Sequence, residues 1–88
     1  SPVAPRFNNV VVGKILSVAP HPNAERLTVC EIDVGEANPV TIVTNASVTA
    51  NLCLAVAKSG AFLPGMHAEG ETLTPVDMRG VQSHGMLC

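Results

Sequence analysis

The residues best suited to chemistry lie in the last eleven positions of the chain, 78–88. Arg79 is followed by Gly80, and glycine has no side chain to keep the planar fork of an arginine away from a phosphate. Ser83 precedes His84, but neighbouring residues on a strand point to opposite faces, so we expect no catalytic dyad there. The segment therefore indicates contact with an anion, and a plain surface turn ahead of a last strand is the alternative.

The other reactive side chains form no motif for catalysis or metal binding. Glu69 and Glu71 lie in a polar segment without an acid-base partner close in sequence. The three cysteines are an odd number at wide spacing with no CxxC pair, which argues against a disulfide framework or a zinc site and fits a reducing cytoplasm. No glycine-rich phosphate loop follows a strand and opens a helix. We therefore predict no catalytic machinery, no metal and no cofactor in these 88 residues.

Length, charge and aromatic content limit the function further. The chain is long enough for one domain, and its net charge of -2 argues against strong non-specific binding of nucleic acid. It has no Trp or Tyr, and its aromatic rings are Phe7 and Phe62. Single-strand binders usually stack bases on aromatic side chains, so any RNA contact would have to use backbone, sugar and shape.

The elements that must position these residues are short strands. Residues 10–19, 27–34, 40–44 and 52–57 are β-prone runs, and a last strand is expected within 76–88. With little helix and turns at fairly regular spacing, the pattern predicts an all-β fold: a small five-stranded Greek-key β-barrel with one or two short helical turns. Residues 1–9 are predicted to be an N-terminal arm or linker, and 10–88 the barrel domain. The predicted core includes Ile15, Cys30, Ile32, Val43, Val56 and Leu87.

Three local features refine this prediction. A bend at Gly13 would let the first strand serve two sheets, which explains its apolar residues on both faces; a fully buried strand is the alternative. Asn23 is suited to cap one helical turn that ends at Arg26, although plain turn chemistry is the alternative. Residues 45–51 are expected to form a helical turn or an irregular crossover.

Several motifs occur in an order that resembles a known family. They are Gly13-Lys14-Ile15, His21-Pro22-Asn23-Ala24-Glu25-Arg26-Leu27, Asp33-Val34-Gly35, Gly60-Ala61-Phe62-Leu63-Pro64-Gly65 and the segment from Met78 to Cys88. Together they resemble the tRNA-binding domain appended to aminoacyl-tRNA synthetases and also found as a free-standing protein. The runs Val10-Val11-Val12-Gly13 and Gly85-Met86-Leu87-Cys88 look most like the module of the bacterial phenylalanyl-tRNA synthetase beta subunit. Thr44-Asn45-Ala46 departs from the Cys-Gly-Ala run that is more usual in the family.

The resemblance implies an oligonucleotide-binding fold (OB-fold) with tRNA as its partner. It implies an accessory domain that assists tRNA binding for aminoacylation, within a cytoplasmic phenylalanine–tRNA ligase beta subunit. ATP and magnesium would then belong to the parent enzyme, which also supplies the alpha subunit and other beta-subunit domains as partners. Because the chain begins with Ser1, we expect a piece of a longer protein. The sequence shows no long amphipathic helix that could form a dimer seam, so we expect the isolated domain to be monomeric. The alternatives are a free-standing homodimeric tRNA-binding or chaperone-like protein and a protein-docking OB barrel.

The resemblance also implies which residues meet RNA. Arg26 and Arg79 would contact phosphates, while Asn23 and Ser83 would shape the loops or donate to RNA. Met86 packs beneath the loop or lies purely in the core. His84 stands where the synthetase branch often has glutamate. Second-rank candidates for tRNA binding are Lys14 and Lys58.

Overall fold

The computed structural model describes residues 9–88, and the arm predicted for residues 1–9 therefore lies, except for Asn9, outside the described part. Within that part the chain forms strands and turns and no helix. Nothing in residues 9–88 is a helix long and apolar enough to cross a membrane. The strands are β1 (Val10–Pro20), β2 (Thr28–Asp33), β3 (Val40–Thr44), β4 (Cys53–Lys58), β5 (Val76–Met78), β6 (Val81–Ser83) and β7 (Gly85–Leu87).

Five of the strands form one antiparallel sheet in the order β3-β2-β1-β4-β7. The sheet curls until its two edges approach each other. The backbone N–H of His84 donates to the carbonyl oxygen of Thr41 at 2.8 Å, and the N–H of Val43 donates to the Ser83 hydroxyl at 2.9 Å. The result is a nearly closed five-stranded barrel, which confirms the predicted fold class.

The long strand β1 holds the barrel together because it pairs with β4 through residues 10–14 and with β2 through residues 14–20. This confirms that β1 serves both sides of the barrel. The predicted bend at Gly13 is wrong in position, because the register shifts between Ile15 and Ser17 and leaves Leu16 as the extra residue. A bulge of this kind bends a strand and increases its twist, as a small barrel requires.

Gly13 serves close packing instead. A Cβ placed on it would lie 2.8 Å from a Val56 methyl and 2.9 Å from an Ile32 methyl. Any larger residue would push β1 away from the centre of the barrel. The absent side chain therefore sets how tightly the three central strands pack.

The core lies inside the barrel and agrees with the list of predicted core residues. Five of the six predicted core residues are buried, and Leu87 is half-buried against them. Three further buried residues were not in the predicted core, namely Ile42, Ala57 and Ala61.

The remaining two strands, β5 and β6, form a separate two-stranded hairpin. The helical turns predicted in the loops are absent from residues 9–88. In the first loop, the Leu27 N–H donates to the Ala24 carbonyl oxygen at 3.2 Å, which closes a β-turn. A second turn is closed by the Leu52 N–H on the Thr49 carbonyl oxygen at 3.4 Å. Both loops are too short and too rich in turn-forming residues to continue as helices.

Candidate nucleic-acid interface

The tip of the β5–β6 hairpin presents Arg79. Met78 pairs with Val81, so Arg79 and Gly80 alone form the turn. Their φ angles are 56° and 96°, the left-handed values that a two-residue type I′ turn requires at both positions. Asparagine and glycine favour this conformation, and an arginine adopts it at a cost of roughly 1 kcal/mol or more. The turn holds an exposed Arg79 at the point of the hairpin.

Two side chains of the β1–β2 loop hold that tip in place. His21, which is only 5% exposed, donates from Nε2 to the Met78 carbonyl oxygen at 2.7 Å. Asn23 donates from Nδ2 to the Arg79 carbonyl oxygen at 3.1 Å. Of the two roles expected for Asn23, this contact favours shaping the loops, and Asn23 binds the hairpin and does not cap a helical turn. We call these two contacts the His21–Asn23 clasp.

The clasp brings together the two loops that carry the predicted arginines. Arg26 is exposed in the β1–β2 loop, whose ends are joined by a hydrogen bond from the His21 N–H to the Leu27 carbonyl oxygen at 3.1 Å. Among residues 9–88, neither Arg26 nor Arg79 makes an ion pair. Two uncompensated guanidinium groups on adjoining loops suit a phosphate backbone, since arginine binds phosphate oxygens with its planar fork.

Ser83 and Met86 lie beneath this surface. Ser83 is 4% exposed, and its hydroxyl accepts from the Val43 N–H and donates to the Gly85 carbonyl oxygen at 3.3 Å. Of the two roles expected for Ser83, the geometry favours shaping the loops. Met86 is half-buried opposite Ala57 and lines an apolar cleft of about 270 Å³ bounded by the hairpin and the barrel, which favours packing.

The other predicted cations lie on different parts of the barrel. Lys14 is exposed in the middle of β1, between Asp33 of β2 and Cys53 of β4. Lys58, at the end of β4, forms an ion pair with Glu36. Lys58 and Glu36 line a polar cleft of about 500 Å³, which exposed His84 also lines. The structure therefore does not bring Lys14 or Lys58 together with the clasp.

The clasp residue that the sequence interpretation missed is His21. The residues around it in the motif indicated only an ordinary turn, and the hydrogen-bond partner of His21 lies 57 residues further along the chain.

Another histidine, His67, bonds locally. Its Nδ1 accepts from the Leu63 N–H at 3.0 Å, and Phe62 packs against its ring with 6.2 Å between centroids. No three His, Cys, Asp or Glu side chains in residues 9–88 are grouped as metal ligands.

Comparison with known proteins decides the family. The sequence profile of the family described as "Putative tRNA binding domain" matches residues 10–88. The chain belongs to this tRNA-binding domain family. The match starts at the first residue of β1 and ends at the last residue of the chain, so it covers the barrel, the β1–β2 loop and the hairpin.

The proteins with similar sequences include phenylalanine–tRNA ligase beta subunits. It is 49% identical over 86 residues to the phenylalanine–tRNA ligase beta subunit of Thiobacillus denitrificans, covering 97% of this chain and 10% of that protein. The corresponding subunit of Synechococcus elongatus is 49% identical over 80 residues, covering 90% and 10%. The chain thus spans about a tenth of the length of these relatives.

A solved structure supports the fold. The C-terminal domain of Plasmodium vivax p43 superposes with a TM-score of 0.71 at 25% identity, covering 93% of this chain and 45% of that one. The overall fold is therefore shared with a protein of low sequence similarity. This agrees with the architecture predicted for the tRNA-binding domain.

Proposed function

We propose that the chain is the tRNA-binding accessory domain of a phenylalanine–tRNA ligase beta subunit and that it assists tRNA binding for aminoacylation. The family match over residues 10–88 and the 49% identity to beta subunits support this proposal. The observation that carries the choice of surface is the His21–Asn23 clasp, which joins the loop of Arg26 to the hairpin of Arg79.

The surface is suited to folded RNA. Its two arginines can bind phosphates, and the exposed loop backbone can follow the shape of the tRNA. The described aromatic ring, Phe62, is half-buried against His67 in a different loop, so base stacking on it is not part of the proposal. With only two cations, binding should be modest and sensitive to salt.

The remaining expectations concern the parent protein. In the proposed context, the partners are the alpha subunit and the other domains of the beta subunit. ATP and magnesium act in the catalytic part of that enzyme, and the parent is cytoplasmic. The isolated domain is expected to be a monomer, and sedimentation at micromolar concentration tests this against the free-standing homodimer.

Titration of labelled tRNA at several salt concentrations tests the proposal. For the wild type, with two cations on phosphates, the slope of log affinity against log salt should be about −2. Arg26→Ala and Arg79→Ala should each weaken binding and flatten the slope by about one unit. Lys14→Ala is the matched control, because it removes an exposed cation from the outside of the barrel and should change the slope much less.

Two outcomes would contradict the proposal in different ways. A wild type without salt-dependent binding at low ionic strength would refute tRNA recognition by this domain. The net charge of -2 would then favour the protein-docking barrel. Binding that is indifferent to both arginines would keep the function but move the interface to another surface.

A further inference from the structure

The β5–β6 hairpin cannot hold its own position. Each strand is three residues long, and the pair lies outside the five-stranded sheet. An isolated two-stranded hairpin is marginally stable in water. At its base, β6 is fixed by the Ser83 hydroxyl on the backbone of β3. At the tip, the hydrogen bonds that residues 9–88 provide from another loop are the two bonds of the clasp.

A single imidazole ring organises both bonds. A carbonyl oxygen can only accept, so Nε2 of His21 carries the hydrogen that binds Met78. Its Nδ1 accepts from the backbone N–H of Asn23 at 2.9 Å, which fixes the neutral tautomer with the proton on Nε2. Since Asn23 itself binds the Arg79 carbonyl oxygen, the ring orients one contact directly and the other through Asn23.

The two carbonyl groups that accept these bonds are consecutive. Met78 ends β5, and Arg79 is the first residue of the type I′ turn. Holding both carbonyl oxygens fixes the peptide planes on either side of the Arg79 Cα. This restrains the direction in which the guanidinium leaves the backbone and fixes it relative to the loop that carries Arg26.

We propose that His21 is a positioning residue for tRNA binding, which sets the placement of Arg79 relative to Arg26 so that both meet the RNA backbone together. This inference rests on the proposed function. His21 does not itself touch RNA, because the ring is buried and both nitrogens are occupied within the protein. Its contribution is to reduce the conformational freedom that the arginines lose on binding.

Three variants of the whole 88-residue chain test the role in tRNA titrations at several salt concentrations. His21→Ala should lower the affinity about fivefold to tenfold, the factor expected for one hydrogen bond, and flatten the salt slope. His21→Gln should recover part of the affinity, because its amide can donate towards Met78. His67→Ala is the matched control, since it also removes an Nδ1 that accepts a backbone N–H, in another loop.

A double-mutant cycle separates positioning from general destabilisation. If His21 acts through Arg79, adding His21→Ala to Arg79→Asn should cost little further affinity, because the group to be positioned is gone. Asparagine is chosen since it tolerates the left-handed conformation of the turn. The positioning role would be overturned if the affinity losses of the two single variants simply multiply in the double variant. It would also be overturned if His21→Ala loses no more affinity than His67→Ala. Neither result would affect tRNA binding itself.

Limited digestion with trypsin measures how firmly the tip of the hairpin is held in the absence of RNA. The bond after Arg79 lies in the clasped turn, so His21→Ala should be cut there about tenfold faster than the wild type, and His67→Ala should not. Equal rates would overturn the clasp. A wild type that binds no tRNA would refute the proposed function and the positioning role with it, whatever the digestion shows of the clasp.

Discussion

Arg79 combines a residue type and a conformation that do not suit each other. It occupies the left-handed region at φ 56°, where asparagine or glycine is favoured, yet its side chain is exposed at the tip of the hairpin. Strain of this kind persists only where the surrounding structure holds the residue in place. Here the clasp provides that support through His21 and Asn23. The strained residue is thus also the best candidate for contact with phosphate.

Replacing Arg79 with glycine should separate strain from binding. Arg79→Gly relieves the left-handed conformation, so the free energy of unfolding should stay equal or rise by up to about 1 kcal/mol, while tRNA affinity falls. Denaturant unfolding and tRNA titration measure the two effects. Asn51→Gly is the control, because Asn51 is another exposed left-handed residue, at φ 74°, and its change should leave affinity unaltered. A large loss of stability in Arg79→Gly would show that its side chain supports the hairpin.

The three cysteines should differ in reactivity. Burial, and secondly the charge of Glu31, raise the pKa of the Cys30 thiol above its ordinary value of 9.0. Cys53 and Cys88 are exposed. A thiol reagent should therefore label two sites in the native protein and a third only on unfolding. Rapid labelling of three native thiols would contradict this prediction.

The raised pKa of Cys30 also predicts how stability depends on pH. Above pH 9.0 the thiol of the unfolded chain loses its proton more readily than the buried thiol does, so the free energy of unfolding should fall. It should fall less in Cys30→Ala.

At the scale of elements, the β-prone runs predicted the four longer strands to within a residue and the core residues Cys30, Ile32 and Val56 on β2 and β4. They did not predict where β1 bends, because the bulge at Leu16 follows from pairing with two partners at once. Nor did they predict the separate hairpin, since three-residue strands carry too little pattern. The arginines of the candidate site could be named from their motifs. His21 could not be assigned its role, since that depends on a contact 57 residues away.

A pair of substitutions on neighbouring strands tests which side chains point into the core of the barrel and which point to solvent. Ile32 on β2 is fully buried, and Leu16 in the β1 bulge is 47% exposed. Ile32→Ala should lower the free energy of unfolding by roughly 2–5 kcal/mol, because it leaves a cavity in a minimal core. Leu16→Ala should cost well under half as much. Denaturant melts of both variants measure this, and equal losses would show that the bulge side chain packs more tightly than its exposure implies.

At the scale of the whole molecule, the distribution of charge matters more than its sum. The chain carries five basic and seven acidic residues, yet the described ion pair uses Lys58 and Glu36, away from the clasp. Arg26 and Arg79 make no ion pair within residues 9–88, although exposed Glu25 and Asp77 lie close to them in sequence. A slightly acidic protein can therefore still present two guanidinium groups that are free to bind phosphate.

This distribution leads to a prediction about Lys58. If binding uses the clasped loops alone, Lys58→Ala should leave the salt slope of tRNA binding within a few tenths of the wild-type value, because its charge is already paired with Glu36. Glu36→Gln removes the partner and makes the net charge one unit less negative, and it too should leave the slope nearly unchanged.

If total charge governed binding, the two variants would shift affinity in opposite directions. If the polar cleft beside His84 contacts RNA, Lys58→Ala would flatten the slope by about one unit and Glu36→Gln would strengthen binding. Only an unchanged slope in both variants, together with a flattened slope in Arg79→Ala, agrees with an interface confined to the β1–β2 loop and the hairpin.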